Sequence, residues 1–508
     1  MARLGRGNAN RQRRHGRLLA SFGIALVAVL GAVGPAHAAK PPPPQQPTDA
    51  AVAFQMNAAH DGGQSDPIEP PLTRAWSVDL GGSVSYPLIA QGAAYVTVAN
   101  TSGYGTKLLA LDLDTGATIW GPVDLGGTYW WSGAAYDSGS VYTLNFDGQL
   151  RAFDAGTGAP RWTTQLPGQY SFTSPPTAVN GVVYTGGAGS GGTVYAVDES
   201  SGAVLWTQSV MNGDNSSPAV SGGNVFVSYA CEQAYAFTAA TGDPVWHHST
   251  YCEGGGGKTP AVYGGRVYVR DNILGNTVLD SVTGADVGSF SGGAIPAFSG
   301  STGYFLNGST LEAHDLSTGA VSWTFGGDGQ LSSAPITANG YVYVGSATGK
   351  VYAVSAATGQ QAWSDSAGAP VNSPDEQNVS QPLTGLAIGE GHLLVPASTR
   401  LVAYTNVPDF SLAAASTVAI PRGQSASTPV SLSANYLFSS SVHLSASGAP
   451  PLSSAGVSPG TVKLAPSGTG DARLTVQVSQ LQLLDFDVTV DACGNGTCHS
   501  TVVHVHVT

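Results

Sequence analysis

Residues Ala110–Trp120 read ALDLDTGATIW, and variants of this phrase recur along the chain. AFDAGTGAPRW ends at Trp162, AVDESSGAVLW at Trp206, AFTAATGDPVW at Trp246, AHDLSTGAVSW at Trp323 and AVSAATGQQAW at Trp363. Trp76 extends the series, and Gly288 holds the same slot in VLDSVTGADVG. Successive intervals are then 44, 42, 44, 40, 42, 35 and 40 residues. Self-similarity at this period marks an array of like units. A proline runs in phase, at Pro87, Pro176, Pro218, Pro260, Pro296, Pro335 and Pro382. Each unit carries short Val- and Tyr-rich runs between turn residues, four strands in about forty residues, which is the pattern of a propeller blade.

The residues of the phrase have separable physical roles. The Ala at its first position (Ala110, Ala152, Ala196, Ala236, Ala313, Ala353) is small enough to pack where blades approach closely. Thr-Gly makes the turn between third and fourth strands, Gly supplying positive φ while Asp or Ser satisfies nearby amides. The Trp opens the outer strand and buries its large surface against the neighbouring blade. Residues 383–405 supply three strands without Thr-Gly or Trp, and Ala75–Asp79 supplies a lone outer strand. Joined, they make one blade that closes the ring and removes its free edges. The expected fold is all-β, an eight-bladed β-propeller closed by an N-terminal outer strand and followed by a β-sandwich. Seven blades is the alternative, because the unit around Gly288 is degenerate.

The 508-residue chain opens with six arginines and no acid in residues 1–17, then an apolar run from Leu18 to about Val33 and Ala36-His37-Ala38. That is the layout of a signal peptide over 1–38, with an N-terminal linker over 39–70, the propeller over 71–406 and the sandwich over 409–508. The apolar run is too short for a permanent transmembrane anchor. The expected location is secreted, periplasmic or cell-surface. Beyond residue 38, 13 basic residues face 32 acids, a net charge of −19. Nucleic-acid recognition needs clustered Lys and Arg, so no nucleic-acid partner is expected. An even count of four cysteines in an exported chain favours disulfides, most simply Cys231–Cys252 and Cys493–Cys498. The chain is expected to be a monomer.

The A-x-D-x-x-T-G-x-x-x-W units resemble the tryptophan-docking repeats of eight-bladed pyrroloquinoline-quinone-type propellers, over roughly residues 70–405. The resemblance implies the fold strongly and the function weakly, since that superfamily holds quinoprotein alcohol dehydrogenases and also cofactor-free scaffolds such as the outer-membrane-assembly lipoprotein. Such dehydrogenases typically present adjacent cysteines beside the quinone, a calcium held by Glu and Asn, and an Asp base. No two cysteines here are adjacent, and no motif places such a Glu/Asn/Asp set. Cys493-Gly-Asn-Gly-Thr-Cys498-His499 has four residues between its cysteines, so it reads as a small disulfide loop and not as a C-x-x-C-H haem site.

Loops from an outer strand to the next inner strand share one propeller face with the loops joining second to third strands. Cys231 and Cys252 fall in loops of these two kinds within one blade. The same face carries Tyr129, Trp130 and Trp131, then Asn212, Asp214 and Asn215, then His247, His248, Glu253 and Lys258. The longest loop, 364–381, adds Asn372, Asp375, Glu376, Gln377 and Asn378. Aromatics beside amides and carboxylates suit a saccharide- or peptide-binding rim. The ligand-binding candidates are Tyr129, Trp130, Trp131, Asn212, Asp214, Asn215, His248, Asp375 and Glu376. The competing reading has Trp130 or Trp131 plugging a blade that lacks its proline. His247 and His248 face opposite ways on a strand and make a poor metal pair.

From Asp409 the Trp repeat is replaced by alternating stretches such as SSSVHLSAS and ARLTVQVSQ, which look like a bacterial immunoglobulin-like sandwich. His504 and His506 share a strand face there with no metal expected. The sequence therefore favours an exported, non-catalytic propeller binding a protein, peptide or glycan on its upper rim, without a cofactor. The alternative is a dehydrogenase using pyrroloquinoline quinone with calcium. A propeller lyase or hydrolase acting on envelope polysaccharide is a third reading.

Overall fold

The computed structural model describes residues 49–508, apart from 214, 251, 253–255, 272, 436–437 and 466–467. The described residues all fall within one compact unit, Pro43–Thr508. The expected signal peptide, the first part of the expected linker, Asp214 and Glu253 lie outside the described residues.

Among the described residues, eight four-stranded antiparallel units follow one another as blades 1 to 8. Their inner strands are Leu88–Ala90, Ser132–Asp137, Thr177–Val179, Ala219–Ser221, Ala261–Tyr263, Ala297–Ser299, Ile336–Ala338 and Ala387–Gly389. Their outer strands are Thr118–Gly126, Pro160–Gln165, Val204–Val210, Pro244–His248, Asp286–Phe290, Val321–Phe325, Gln361–Ser366 and, for blade 8, Leu72–Asp79. That last strand pairs with Arg400–Asn406, with Trp76 opposite Ala403, so the ring closes by joining the two ends of the propeller sequence. The degenerate unit around Gly288 is a full blade, blade 5, which settles the count at eight.

The repeated phrase works as a lock between blades. Each Trp lies opposite its small Ala across the strand pair, as Trp120 does Ala110, and the Ala residues are fully buried. Its indole N–H then reaches the next blade: Trp76 donates to the Leu113 carbonyl, Trp120 to Ala155, Trp162 to Glu199, Trp206 to Ala239, Trp246 to Ser281 and Trp323 to Ala356, at 2.8–3.0 Å. Each acceptor stands three residues before the turn glycine. At Gly116 (φ +71°) an added Cβ would lie 2.7 Å from the Trp76 ring, so glycine serves both the turn and the indole. Asp112 Oδ1 accepts from the Thr115 amide and hydroxyl, pinning the same turn. Where Gly288 replaces Trp, a Cβ at Gly319 would meet nothing within 4 Å. Arg266 takes over the missing donor, its Nη1 lying 3.3 Å from the Leu316 carbonyl.

Residues 49–70 correct the sequence expectation of a linker. Ala50–Met56, His60, Asp66 and Ile68 are buried, and the segment winds through the channel to touch all eight blades. Its carbonyls accept the inner-strand amides of Ile89, Tyr136, Val220, Val262, Phe298 and Thr337, from Ala51, Val52, Ala58, Ala59, Asp61 and Gly62. Gly63–Gln64 adds a parallel strand to blade 7. Blade 3 is reached through Thr177 Oγ1, 3.1 Å from His60 Nε2, and blade 8 through Ile388 N–H, 3.3 Å from the Met56 sulfur. Winding this tightly puts Gln55, Met56 and His60 at φ of 55°, 79° and 56°. Inner strands at a propeller axis present unpaired amides, and buried amides must be paired. This segment pairs them.

After Asn406, two sheets face each other over one apolar core that includes Phe410, Val430, Leu444, Leu474, Val490 and Val503. One sheet runs Asp409–Ala414, Ser425–Asn435, Thr469–Gln477, Ser454–Ser458. The other runs Thr417–Ile420, Thr497–Val507, Phe486–Gly494, Ser441–Ser447, Thr461–Lys463. The period-2 burial over Ser425–Asn435, with Thr428, Val430, Leu432 and Ala434 facing inward, is what the alternating sequence encodes.

Candidate functional site

The loops from outer to next inner strand and from second to third strand do share one face. Cys231 and Cys252, on two such loops of blade 4, are joined at a Cα separation of 5.5 Å, and Cys493 is joined to Cys498 across the hairpin turn of the sandwich.

The upper end of the channel is shut by the longest loop. Residues 367–383 leave blade 7 and drive Glu376 across to blade 5, where it meets Arg270. Both side chains are only 2% exposed. Glu376 Oε2 also accepts the Thr259 amide at 2.6 Å, while Arg270 donates to the carbonyls of Gly293 and Thr259 at 3.1 and 3.0 Å. Burial, followed by the nearby Arg270 charge, lowers the pKa of the adjacent Lys258. Below this bar, His60 Nδ1 lies 2.6 Å from the Phe54 carbonyl, and its Nε2 is within 3.3 Å of Thr177, Ser217 and the Pro218 carbonyl. Burial is the main cause holding its pKa down, so this imidazole is a neutral anchor of the channel segment.

Several residues read from sequence as ligand-binding candidates are internal. Glu376 is consumed by Arg270. Trp131 is fully buried among Ala135, Tyr142, Leu144 and Phe172, between blades 2 and 3, as the plugging alternative expects. Asn215 is buried and accepts the Thr173 hydroxyl. Asn212 donates to the Ala230 carbonyl at 3.1 Å. His248 is half-buried, 3.9 Å from Glu232, while His247 stacks on Tyr235 at 4.0 Å and bonds Gln233. Asp375 is exposed and caps its own loop through the Gln377 amide.

Tyr129 and Trp130 remain at the surface and belong to a larger group. Tyr104, on the second-to-third-strand loop of blade 1, is 62% exposed with its ring 4.6 Å from Trp130 and 6.5 Å from Tyr129. Tyr129 in turn packs on Phe146 of blade 2 at 4.4 Å. Trp130 Nε1 donates to the Gly103 carbonyl at 2.8 Å, and Thr128 to Asp147 at 2.6 Å. Tyr170, on the loop into blade 3, is 69% exposed and bonded to the Gly189 carbonyl. Tyr104, Tyr129, Trp130 and Phe146 form one contiguous aromatic ridge across blades 1 and 2, and Tyr170 stands on the next upper-face loop. Tyr104, Phe146 and Tyr170 were not singled out in the sequence because each stands alone in its loop. Their signal was position, all lying on upper-face connections. Among the described residues, no three His, Cys, Asp or Glu side chains converge as a metal site.

An eight-bladed ring locked by indoles docking on Thr-Gly turns defines the tryptophan-docking class of propeller. The sequence over 105–191, 190–287 and 277–441 matches the family of the outer membrane protein assembly factor BamB, and the chain belongs to that family. Among curated relatives, tetrathionate hydrolase of Acidithiobacillus ferrooxidans is 26% identical over 278 residues, covering 50% of this chain and 48% of the relative. The dehydrogenase subunit of the quinone alcohol dehydrogenase of Gluconobacter oxydans is 36% identical over 160 residues, covering 27% and 20%. The chain thus spans about half or less of the length of these relatives. The structure of the quinohemoprotein alcohol dehydrogenase ADH-IIG of Pseudomonas putida HK5 superposes with a TM-score of 0.53 at 16% identity, covering 71% of this chain and 80% of that one, a likeness of fold.

Proposed function

We propose that this chain is an exported, non-catalytic binding scaffold whose ligand, a peptide segment or a glycan, stacks on the aromatic ridge of the upper rim. The observation that carries the reading is the aromatic group itself: Tyr104 and Tyr129 lie exposed around the half-buried Trp130, Tyr170 stands exposed on the next upper-face loop, and Trp130 and Tyr170 are fixed by hydrogen bonds to backbone carbonyls. Pre-ordered aromatic faces bind with little loss of side-chain entropy. Export is supported by the Arg-rich and apolar start of the sequence and by its two disulfides. No helix among the described residues is long and apolar enough to cross a membrane.

A quinone with calcium fits these residues poorly. The carboxylate at the upper axis, Glu376, is already neutralised by Arg270, and the channel beneath it is filled by residues 50–64. The likeness to quinone dehydrogenases keeps that reading as the competitor. Two titrations on the full chain decide between them. Oligosaccharide and peptide panels, followed by the fluorescence of Trp130, are expected to show a ligand whose affinity falls at least about tenfold in Tyr104→Ala/Trp130→Ala. Calorimetry with pyrroloquinoline quinone and calcium is expected to show no heat. Micromolar quinone binding with dye-linked alcohol oxidation would overturn the proposal.

A further inference from the structure

A group of exposed apolar side chains lies at one end of the sandwich. Strands Ser425–Asn435 and Thr469–Gln477 pair so that Ser425 lies opposite Gln477, and Ser454 also lies opposite Gln477. Phe486 pairs with Val505, and Ile420 with Val507. The loops 421–424, 448–453 and 478–485 therefore emerge together, at the end opposite Asp409, where the chain enters the domain. The Ser479 amide donates to Ser453 Oγ at 3.0 Å, and a Cβ on Gly423 would lie 2.6 Å from Gln480, so the three loops touch.

Four leucines crown this end: Leu452 is 78% exposed, Leu481 76%, Leu483 68% and Leu484 74%. Residues 448–453 (GAPPLS) and 478–484 (VSQLQLL) contain no ionisable side chain. Some of their polar groups bond within the loop. Gln482 Nε2 donates to the Leu484 carbonyl at 2.6 Å, and the Leu481 amide donates to Ser479 Oγ at 3.2 Å. The flanking acids are paired, Asp485 with His504 and His506, and Asp487 with His504. Arg422 stands on the adjoining loop.

A protein interface carries a polar rim with directional hydrogen bonds around its apolar centre. This tip instead raises bare leucines from two loops without an ionisable side chain, with Gln424 and Gln480 as the exposed amides beside them. A bilayer surface makes a different demand: protruding apolar side chains and a cation at headgroup depth. We propose that the free end of the sandwich is a lipid-surface anchor, in which Leu452, Leu481, Leu483 and Leu484 enter the interfacial layer and Arg422 meets lipid phosphate.

The test is co-sedimentation of the full chain with phosphatidylcholine vesicles, in low and high salt, and with vesicles containing phosphatidylglycerol. Binding to phosphatidylcholine that persists in high salt is expected, because the attraction is apolar. The variant Leu452→Ser/Leu481→Ser/Leu483→Ser/Leu484→Ser is expected to lose roughly tenfold or more in partitioning. Its melting temperature should stay unchanged, since the four side chains are solvated already. Arg422→Gln is expected to weaken binding to the phosphatidylglycerol vesicles by a smaller factor. The proposal is overturned if the wild-type chain stays in the supernatant, or if the serine variant sediments equally well. It is also overturned if sedimentation velocity shows self-association that the serine variant abolishes while vesicles are ignored. The tip would then join two copies of this chain.

Discussion

Arg266 donates to the carbonyl of Leu316 where a tryptophan N–H serves the corresponding carbonyls of other blades. The guanidinium replaces the hydrogen bond and leaves the indole's volume unfilled, as the open space at Gly319 records. Gly202 and Gly319 share nearly the same backbone, φ +72° and +73°, but a Cβ at Gly202 would lie 2.6 Å from Trp162. Alanine is strained equally at both, and Thr164 Oγ1 also lies 2.6 Å from the Gly202 Cβ position, so the difference between Gly202→Ala and Gly319→Ala measures crowding by the docked indole and Thr164 together. We expect Gly202→Ala to cost about 1–3 kcal/mol more, the range for overpacking. Urea melts of the two variants measure it.

The buried pair of Arg270 and Glu376 is a second point at which one side chain should dominate stability. Removing one partner leaves an uncompensated buried charge, which costs about 3–5 kcal/mol. Glu376→Ala should therefore lower the apparent unfolding free energy by that amount. The double change Arg270→Met/Glu376→Leu should restore much of it. If the single and double variants melt alike, the pair is not what holds loop 367–383 across the channel.

The fold was legible because its lock is local. Trp, small Ala and Thr-Gly sit within eleven residues, so their spacing alone reveals the blades, and Trp76 reveals how the ring closes. The disulfides were legible through proximity. Two things were not. Residues 50–64 carry no period of 2 or 3.6, because each amide they satisfy belongs to a different blade, and nothing in that stretch announces its partners. Trp131 and Glu376 were placed correctly on upper-face loops, but a loop's periodicity does not say which side chain points inward. Trp131 fills the gap between blades 2 and 3, and Glu376 answers an arginine about a hundred residues away.

A buried carboxyl predicts the pH response. Burial, reinforced by Asp137, raises Glu199 from 4.5 to about 9. Tyr142 donates to its Oε2 at 3.2 Å. Between those two values the folded chain keeps a proton that the unfolded chain releases. The contribution is thus fully present below about pH 4.5 and lost as pH rises through about 9. Thermal melts from pH 5 to 9 (roughly that span) should show falling stability in the wild-type chain. Glu199→Gln keeps the shape and removes the titration, so its decline should be shallower. Parallel profiles would mean that Glu199 does not titrate in this window.

The channel segment makes the broadest prediction. Six inner-strand amides, those of Ile89, Tyr136, Val220, Val262, Phe298 and Thr337, bond only to its carbonyls in the direction of the axis. A chain lacking residues 49–64 would expose all six to water, along with the apolar faces that Phe54 and Met56 cover. We expect that truncation either to abolish folding or to yield a ring with a markedly lower melting temperature. His60→Leu provides the milder test. It keeps the volume and removes the contacts to Phe54, Thr177 and Pro218, each unpaired buried group costing about 1–3 kcal/mol. Hydrogen exchange reads the outcome directly. In His60→Leu, protection should fall first at Val220 and Val262, whose acceptors Ala58 and Ala59 adjoin the lost side chain, while Ile89 and Tyr136 stay protected. Uniform loss across all eight blades would show that the segment is released as a whole and that His60 is its main anchor.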